Sequence, residues 1–396
     1  GSSAALGGLR IDAGGLDLVV TVDTDNFLCD VLHAGKVVSK GRNGDLVALN
    51  LAFNYLSYLG TSDKSAEEIA QEMYQLACSF RLSAGSMGTT INVTGLSENL
   101  AKAVAIVEDL AYNAVPDESI LSNLKADMLK SRADAKLNQS RCFSALQRYV
   151  MYGPEFISKT TLSNEQIMAL TSEELMSKVK NLLECQHEVL YYGPEDQKGV
   201  TELIAESHKT AADLKPLKET YPELMPTPVS RVYLAQYDAK QIYYLQYSNN
   251  EEKLDLDSDP YIKLYNEYFG GGMNAIVFQE MREARGLAYS ASGRLLEPEY
   301  KDDSYKYFAF IATQNDKMQT AIEAFDEIIN DMPESETAFN IAKEALTTRC
   351  RTERITGRNI LNSYRTARQQ GVTEPRTKKV YEKLPELTLE DVKNTQ

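Results

Sequence analysis

An internal repeat constrains the fold of this chain more than any other feature of its sequence. The segment from Asn99 to Arg132 returns from Lys317 to Arg349, at an offset of 217 or 218 residues. The apolar positions of NLAKAVAIVEDL match those of KMQTAIEAFDEI. The match resumes at the same offset, where ALTSEEL at residues 169–175 corresponds to ELTLEDV at residues 386–392. We therefore predict two copies of one lobe.

Each copy mixes the periodicities of helices and strands. Leu100, Val104 and Val107 recur at helical spacing, whereas TTINVTG at residues 89–95 alternates like a half-buried strand. In the second copy, YKYFAFIAT at residues 305–313 occupies the place of that strand. We expect an α+β fold of two homologous lobes, each a mostly antiparallel sheet covered by helices.

A proline-rich segment separates the two copies. Residues 207–231 contain four prolines and few periodic apolar positions, which is typical of a linker. We predict a first lobe over residues 16–215, a linker over residues 216–231 and a second lobe over residues 232–396. Residues 1–15 begin small and polar, without the basic start and apolar stretch of a secretory signal. We expect them to be disordered or a cloning remnant.

The composition narrows the range of partners. Hydrophobic residues make up 43% and charged residues 25%, the balance of a soluble globular protein. No apolar run approaches the roughly 20 residues that cross a bilayer, so we expect no membrane span. The net charge of −15 repels phosphate backbones, which argues against nucleic acid as a partner. An acidic surface could favour basic peptides, although solvated acidic faces are common, and the cellular compartment stays open.

The spacing of cysteine and histidine predicts no metal site. The five cysteines are an odd number without a C-x-x-C pair, which disfavours both a disulfide framework and a zinc ribbon and favours buried free thiols. The three histidines are His33, His187 and His208, and none lies four residues from another. A helical histidine pair is therefore excluded, and we expect each histidine to be structural.

The most specific motif is FGGGMNAIVFQEMREARGLAYSASG, which runs from Phe269 to Gly293. It strongly resembles the second-lobe signature of the insulinase/pitrilysin/mitochondrial processing peptidase family. The segment YLSYLGT at residues 55–61 also resembles the end of a first-lobe helix in that family. The resemblance covers about residues 45–396 and implies peptide hydrolysis with a zinc ion, held by an inverted His-x-x-Glu-His motif and a distant Glu.

The zinc motif that the resemblance implies is degenerate in this chain. Aligned on the Leu-Gly-Thr ending, the first family His falls on Leu51, the catalytic Glu on Asn54 and the second His on Tyr55. No Glu occurs between residues 118 and 155, which leaves Asp127 as a weak candidate for the distant ligand. Zinc hydrolysis needs three ligands, an open water position and a general base. We expect no metal in this chain and no cleavage by the chain alone.

Two residues of the second-lobe motif are candidates for substrate binding. Family members bring an Arg and a Tyr, seven positions apart, to the substrate near the zinc, and these match Arg282 and Tyr289. A guanidinium and a phenol can hold a peptide carbonyl and stabilise an oxyanion. The alternative is that Arg282 forms a surface ion pair and Tyr289 fills a strand position. Arg285 is a second, weaker candidate.

The glycine run at residues 270–272 has a structural interpretation. It lacks the Lys-Ser/Thr ending of a P-loop and the spacing of a dinucleotide fingerprint. We predict that it allows tight packing at the start of a helix.

The residues and the resemblance leave two hypotheses open. The first is a catalytically inactive peptidase half that closes against a zinc-bearing half, in the same polypeptide or in a separate subunit. It would contribute to the peptide-binding chamber and to substrate or oxyanion stabilisation, with zinc only in the partner half. The alternative is a purely structural scaffold or interaction subunit. An autonomous hydrolase is disfavoured, because no G-x-S-x-G elbow is present and histidines are few.

Overall fold

The computed structural model describes residues 9–13, 16–22, 26–33, 45–85, 88–208, 212–216 and 223–395. The chain divides into two compact units, with the boundary between Glu223 and Leu224. Two short segments are assigned to the other unit: residues 142–151 belong to the second unit and residues 356–362 to the first. The lobe limits at residues 16–215, 216–231 and 232–396 stay a prediction, and the remnant proposed for residues 1–15 falls largely outside the described residues.

The first unit contains a six-stranded sheet of order β1-β2-β6-β3-β5-β4. Its strands are β1 (Leu9–Ala13), β2 (Leu16–Val22), β3 (Asn26–His33), β4 (Ser79–Gly85), β5 (Gly88–Leu96) and β6 (Glu188–Gly193). All neighbouring strands are antiparallel except β2 and β6, which are parallel. The alternating segment at residues 89–95 therefore lies in β5, as its pattern predicts.

Eight helices are described between residues 45 and 208. They are α1 (Asp45–Leu56), α2 (Ala66–Gln75), α3 (Leu100–Asn113), α4 (Glu118–Lys136), α5 (Gln139–Thr160), α6 (Asn164–Ala169), α7 (Ser172–Leu183) and α8 (Gln197–Ser207). Helix α5 is interrupted at Gly153, with a φ of 75°, directly before Pro154. Proline disfavours the helical conformation in the preceding residue, which explains the break at this point.

The second unit contains a three-stranded antiparallel sheet of order β7-β9-β8. Its strands are β7 (Gln241–Ser248), β8 (Ser290–Leu296) and β9 (Lys306–Gln314). The helices from residue 259 onward are α9 (Asp259–Phe269), α10 (Ile276–Phe278), α11 (Met318–Asn330), α12 (Glu336–Thr352), α13 (Arg358–Gln369), α14 (Arg376–Lys383) and α15 (Leu389–Lys393), with a π-helical segment at Gln279–Ala284. The first residues of α13 are assigned to the first unit. The predicted α+β fold with mostly antiparallel sheets is confirmed.

Each unit buries the apolar face of its repeated helix. Leu100, Val104 and Val107 of α3 are buried in the core of the first unit, as their spacing predicts. Ala321 and Phe325 of α11 are buried in the core of the second unit. A short 3₁₀ turn precedes each of these two helices. The repeated sequence therefore produces the same local structure twice.

A buried tyrosine holds the start of a long helix in each unit. The Oη of Tyr55 on α1 donates to the Asp117 carbonyl (3.0 Å) and accepts from the Asp117 N–H (2.6 Å). The Oη of Tyr268 on α9 donates to the Pro333 carbonyl (2.8 Å) and accepts from the Ser335 N–H (3.0 Å). Both tyrosines are fully buried. A tyrosine hydroxyl thus bonds the backbone just before α4 in the first copy and just before α12 in the second.

A lysine on the long helix, buried in the first copy and half-buried in the second, makes a second contact that the two copies share. Lys125 Nζ on α4 donates to the carbonyl of Leu170, and Lys343 Nζ on α12 donates to the carbonyl of Leu387 (2.8 Å). These two pairs of residues are related by the repeat offset. An ammonium removed from water needs acceptors, so each lysine fastens the chain that follows its helix. The duplication is therefore visible in the polar contacts as well as in the apolar pattern.

Candidate functional site

The three positions of the degenerate zinc motif lie on α1 and do not converge on a metal. Leu51 is buried in the core, whereas the side chain of Asn54 is exposed. Tyr55 is occupied by its contacts with Asp117, and burial raises the pKa of its phenol, which therefore stays protonated. An alkyl group, an exposed amide and a neutral phenol do not fit the donor set of zinc.

Metal ligands do not gather elsewhere in the described part of the chain either. Asp127, the weak candidate for the distant ligand, is exposed on α4. Among the described residues, no group of three or more His, Cys, Asp and Glu side chains is arranged to hold a metal ion. The residues that the structure describes therefore supply no ligand set for a zinc-dependent step.

Arg282 lies in the π-helical segment of the second unit, with its guanidinium about half exposed. Its Cζ lies 5.0 Å from the centre of the Phe278 ring, and its Nε lies 3.8 Å from Glu283 Oε1. An exposed ion pair at this distance contributes at most about 1 kcal/mol. The ring contact orients the side chain, while its N–H donors stay accessible to a ligand.

Tyr289 directly precedes β8 and is 55% exposed. Its backbone N–H donates to the Ala312 carbonyl of β9 (2.9 Å), and its Oη accepts from Gln314 Nε2 (2.7 Å). A phenol that accepts a hydrogen bond keeps its own hydrogen available to donate. Tyr289 can therefore offer one oriented donor to a ligand.

A tightly fixed turn separates the two candidate residues. The Met281 carbonyl accepts from the N–H groups of Leu287 (2.9 Å) and Ala288 (3.2 Å). The carbonyl of Leu287 also accepts from Thr313 Oγ1 on β9. Gly286 has a φ of 58°, a backbone conformation that residues with a side chain rarely adopt. These contacts fix the backbone at both ends of the turn, where the two candidates lie.

Arg285 lies in the same turn but is engaged within the protein. It contacts Glu327 at 2.8 Å and Glu280 at 3.6 Å. The hydrogen bond to Glu327 raises the pKa of Arg285. Arg285 therefore serves to hold the π-helical segment against α11 and is poorly placed to bind a substrate.

The glycine run corrects one detail of the sequence interpretation. Gly270 ends α9 as its C-cap, so the close packing occurs at the end of a helix and not at its start. A Cβ on Gly270 would lie 2.0 Å from the carbonyl oxygen of Gly293 on β8, whereas a Cβ on Gly272 would meet nothing within 4 Å. Gly270 thus allows α9 to pass over the strand that follows Tyr289.

The structure also places two histidines in contact that the sequence did not predict to be neighbours. His187 and His208 lie 21 residues apart, yet their rings are in contact in the first unit. No spacing rule detects such a pair, since tertiary packing alone brings it together. Among the cysteines whose side chains the structure describes, Cys78 is buried, whereas Cys142, Cys185 and Cys350 are partly exposed.

Comparison with known proteins shows which protein family this chain resembles. Residues 186–346 match the family model of the peptidase M16 inactive domain. A Rickettsia felis protein named as an uncharacterized zinc protease is 22% identical over 309 residues, which cover 76% of this chain and 71% of that protein. The predicted resemblance to this zinc peptidase family is confirmed by the match to its inactive-domain model and by the name of this relative.

Solved structures agree with this assignment at the level of the fold. A peptidase M16 inactive domain from Pseudomonas fluorescens is 17% identical, with a TM-score of 0.72, over 97% of this chain and 92% of that one. The periplasmic protease PqqL from Escherichia coli is 13% identical, with a TM-score of 0.73. The match covers 97% of this chain but only 43% of PqqL. None of the described helices combines the length and apolar character that a bilayer crossing requires.

Proposed function

We propose that this chain is the catalytically inactive half of an M16-type zinc peptidase and closes a peptide-binding chamber against a zinc-bearing half. That half would lie in the same polypeptide or in a separate subunit. The main support is that the positions expected to bind zinc serve packing, as Tyr55 does, while Arg282 and Tyr289 remain exposed at a fixed turn. The length of PqqL, more than twice the matched part, is consistent with two such halves in one chain.

Arg282 and Tyr289 would act on the peptide bond that the other half cleaves. Zinc bound in that half supplies the Lewis acid and the activated water. The guanidinium of Arg282 and the phenol of Tyr289 would donate hydrogen bonds to the scissile carbonyl. These bonds strengthen as negative charge develops on the oxygen, so they stabilise the transition state more than the bound peptide.

A scaffold role is the second candidate. One observation favours it: Arg282 already contacts Phe278 and Glu283 within its own segment, without any substrate. A scaffold would bind the zinc-bearing half and stabilise it, while its own exposed side chains would have no part in cleavage. The two candidates differ in whether removing these side chains changes catalysis.

Complementation tests the proposed function. The purified chain alone is expected to leave an unstructured, quenched fluorescent peptide intact. When it is combined with a zinc-bearing M16 half from the same source, cleavage is expected to appear and to disappear with a chelator. Cleavage by the zinc-bearing half that is equally fast with and without this chain would contradict the proposal. Binding without any change in rate would favour the scaffold.

A further inference from the structure

Two buried imidazoles of the first unit face each other through the same ring nitrogen. The Nε2 atoms of His187 and His208 lie 2.7 Å apart, and the rings meet edge to face. His187 directly precedes β6, and His208 caps the end of α8. Both side chains are more than nine-tenths buried. The distance between the two nitrogen atoms is that of a hydrogen bond.

The outer nitrogen of each ring already contacts an acceptor. His187 Nδ1 lies 2.8 Å from the backbone carbonyl of Cys185, which can only accept, so this nitrogen carries a hydrogen. His208 Nδ1 contacts the carboxyl group of Glu108 on α3. When Glu108 is ionised, this nitrogen must carry a hydrogen as well.

These contacts determine how many protons the three side chains hold together. Two neutral rings with hydrogens on both Nδ1 atoms would direct two lone pairs at each other across 2.7 Å, which is repulsive. One additional proton between the Nε2 atoms removes this conflict and balances the charge of Glu108. The same number of protons results if Glu108 is protonated and His208 carries its hydrogen on Nε2. Either arrangement holds one proton more than an ionised Glu and two neutral His.

A bridging metal fits this geometry less well than a proton. Metal–nitrogen bonds of about 2.0–2.1 Å in a tetrahedral site place ligand nitrogens about 3.3 Å apart. The observed 2.7 Å is well below that separation. In the described part of the chain these residues also do not form a three-ligand metal group.

The surroundings of the cluster are mostly apolar. A cavity of about 20 Å³, room for one water molecule, is lined by Glu108, His208 and six apolar side chains: Ile91, Val93, Val104, Val107, Ala111 and Leu183. The nearby polar groups are Tyr112 on α3, whose pKa burial raises, Cys185, and Glu184, which pairs with Lys215 at 2.5 Å. Water therefore screens the charges of the cluster only weakly.

We propose that Glu108, His208 and His187 form one buried proton-binding site, and that its single proton fastens the end of α8 to α3 and β6. The site belongs to the first unit and is independent of the proposed role in peptide cleavage. Its proton content makes the stability of that unit depend on pH, with a maximum at intermediate pH.

The acid side of this maximum follows from His187. Burial and then the charge of His208 lower the pKa of His187 to about 4, so the cluster does not take a second proton until acidic pH. In the unfolded chain His187 takes a proton near pH 6.5. Between these values the unfolded state binds more protons, and the first unit loses stability as the pH falls.

On the alkaline side of the maximum, stability changes with pH in the opposite direction. Above about pH 6.5 the unfolded chain carries an ionised Glu108 and two neutral histidines, whereas the folded cluster still holds its extra proton. The folded state then binds one proton more, so its population relative to the unfolded state falls up to tenfold per pH unit as the pH rises. The end of α8 should therefore loosen on both sides of neutrality.

Hydrogen exchange on the intact chain tests this site. After correction for the intrinsic pH dependence of exchange, protection of residues 188–193 and 197–208 is expected to peak near pH 6.5. Glu108→Gln imitates the protonated carboxyl group, since its amide can donate to His208 Nδ1 while His208 carries its hydrogen on Nε2. The folded cluster then needs no extra proton, so the alkaline loss of protection should disappear. Glu184→Gln, at a half-exposed ion pair, is the matched control and should leave the profile unchanged. An unchanged profile in Glu108→Gln would overturn the proposal.

Imidazole nitrogen NMR on the wild-type chain gives a readout that does not depend on a variant folding. His187 and His208 are expected to titrate as a coupled pair, with His187 neutral down to about pH 5 and an exchangeable proton between the rings that persists at neutral pH. Two independent one-proton titrations near pH 6.5 would contradict the shared proton. If the wild-type chain instead holds one metal ion per molecule and His187→Gln loses it, the cluster is a metal site and the proton-binding proposal is wrong.

Discussion

Gly270→Ala is expected to destabilise the second unit by about 3 kcal/mol or more. The added methyl group would lie 2.0 Å from the Gly293 carbonyl oxygen and 2.5 Å from its nitrogen, both backbone atoms of β8. Backbone in the middle of a hydrogen-bonded strand cannot move aside without breaking its ladder with β9. Denaturant unfolding, combined with hydrogen exchange of residues 290–296, measures the effect.

Gly272→Ala is the matched control for this change. It lies two positions further along the same glycine run, has no positive φ, and a Cβ there would meet nothing within 4 Å. Its effect on the free energy of unfolding is expected to be about zero or slightly stabilising, since alanine restricts the unfolded chain. Equal losses in the two variants would show that close packing of α9 on β8 is not the reason for the glycine.

Arg282→Ala is expected to lower kcat/KM of the assembled peptidase about 100-fold, the effect of removing one donor to a developing oxyanion. Tyr289→Phe removes a single hydroxyl and is expected to lower it about 10-fold. Both side chains are at least half exposed, so neither change should affect folding. Steady-state cleavage of a fluorescent peptide by the complex measures both effects.

Controls separate a catalytic loss from a general change of surface. Arg354→Ala removes an exposed arginine that donates to the Arg351 and Glu353 carbonyls at the end of α12, and Tyr74→Phe alters a tyrosine that is 83% exposed. Both should leave cleavage within about twofold of wild type. If Arg282→Ala retains full activity in a correctly assembled complex, the oxyanion role is wrong and the scaffold hypothesis gains support.

The repeat made most of the fold predictable, because it combines two signals that depend only on local spacing. The apolar positions of α3 and α11 and the alternation in β5 and β9 follow from helix and strand geometry. Capping boxes, whose Ser/Thr-x-x-Glu spacing can be read from the sequence, are present at Ser65 and Thr171 as well. In each of these cases the determining contacts lie within a few residues of one another.

Features that depend on contacts between residues far apart in the chain could not be predicted from the sequence. A glycine run is equally compatible with the start and the end of a helix, and only the contact of Gly270 with Gly293 shows its role. Nothing in the sequence indicates that Arg285 pairs with Glu327 while Arg282 stays accessible. The cluster of His187, His208 and Glu108 joins residues up to 100 positions apart. Local patterns contain no information on such distances.

The assignment of Tyr55 to a structural role links the fold to the proposed function. In the second copy, Tyr268 likewise bonds one backbone carbonyl and one N–H just before the long helix α12, although no zinc motif is expected there. The tyrosine at the position of a family zinc ligand is therefore explained by support for the following helix. This explanation leaves the three motif positions on α1 without the side chains that a catalytic metal requires.

Zinc content measured on the purified chain tests this account most directly. After equilibration with micromolar zinc and removal of free metal, elemental analysis by mass spectrometry is expected to find far less than one zinc ion per chain, and Tyr55→Phe should not change that value. One tightly held zinc ion per chain, accompanied by peptide cleavage that a chelator abolishes, would contradict the account.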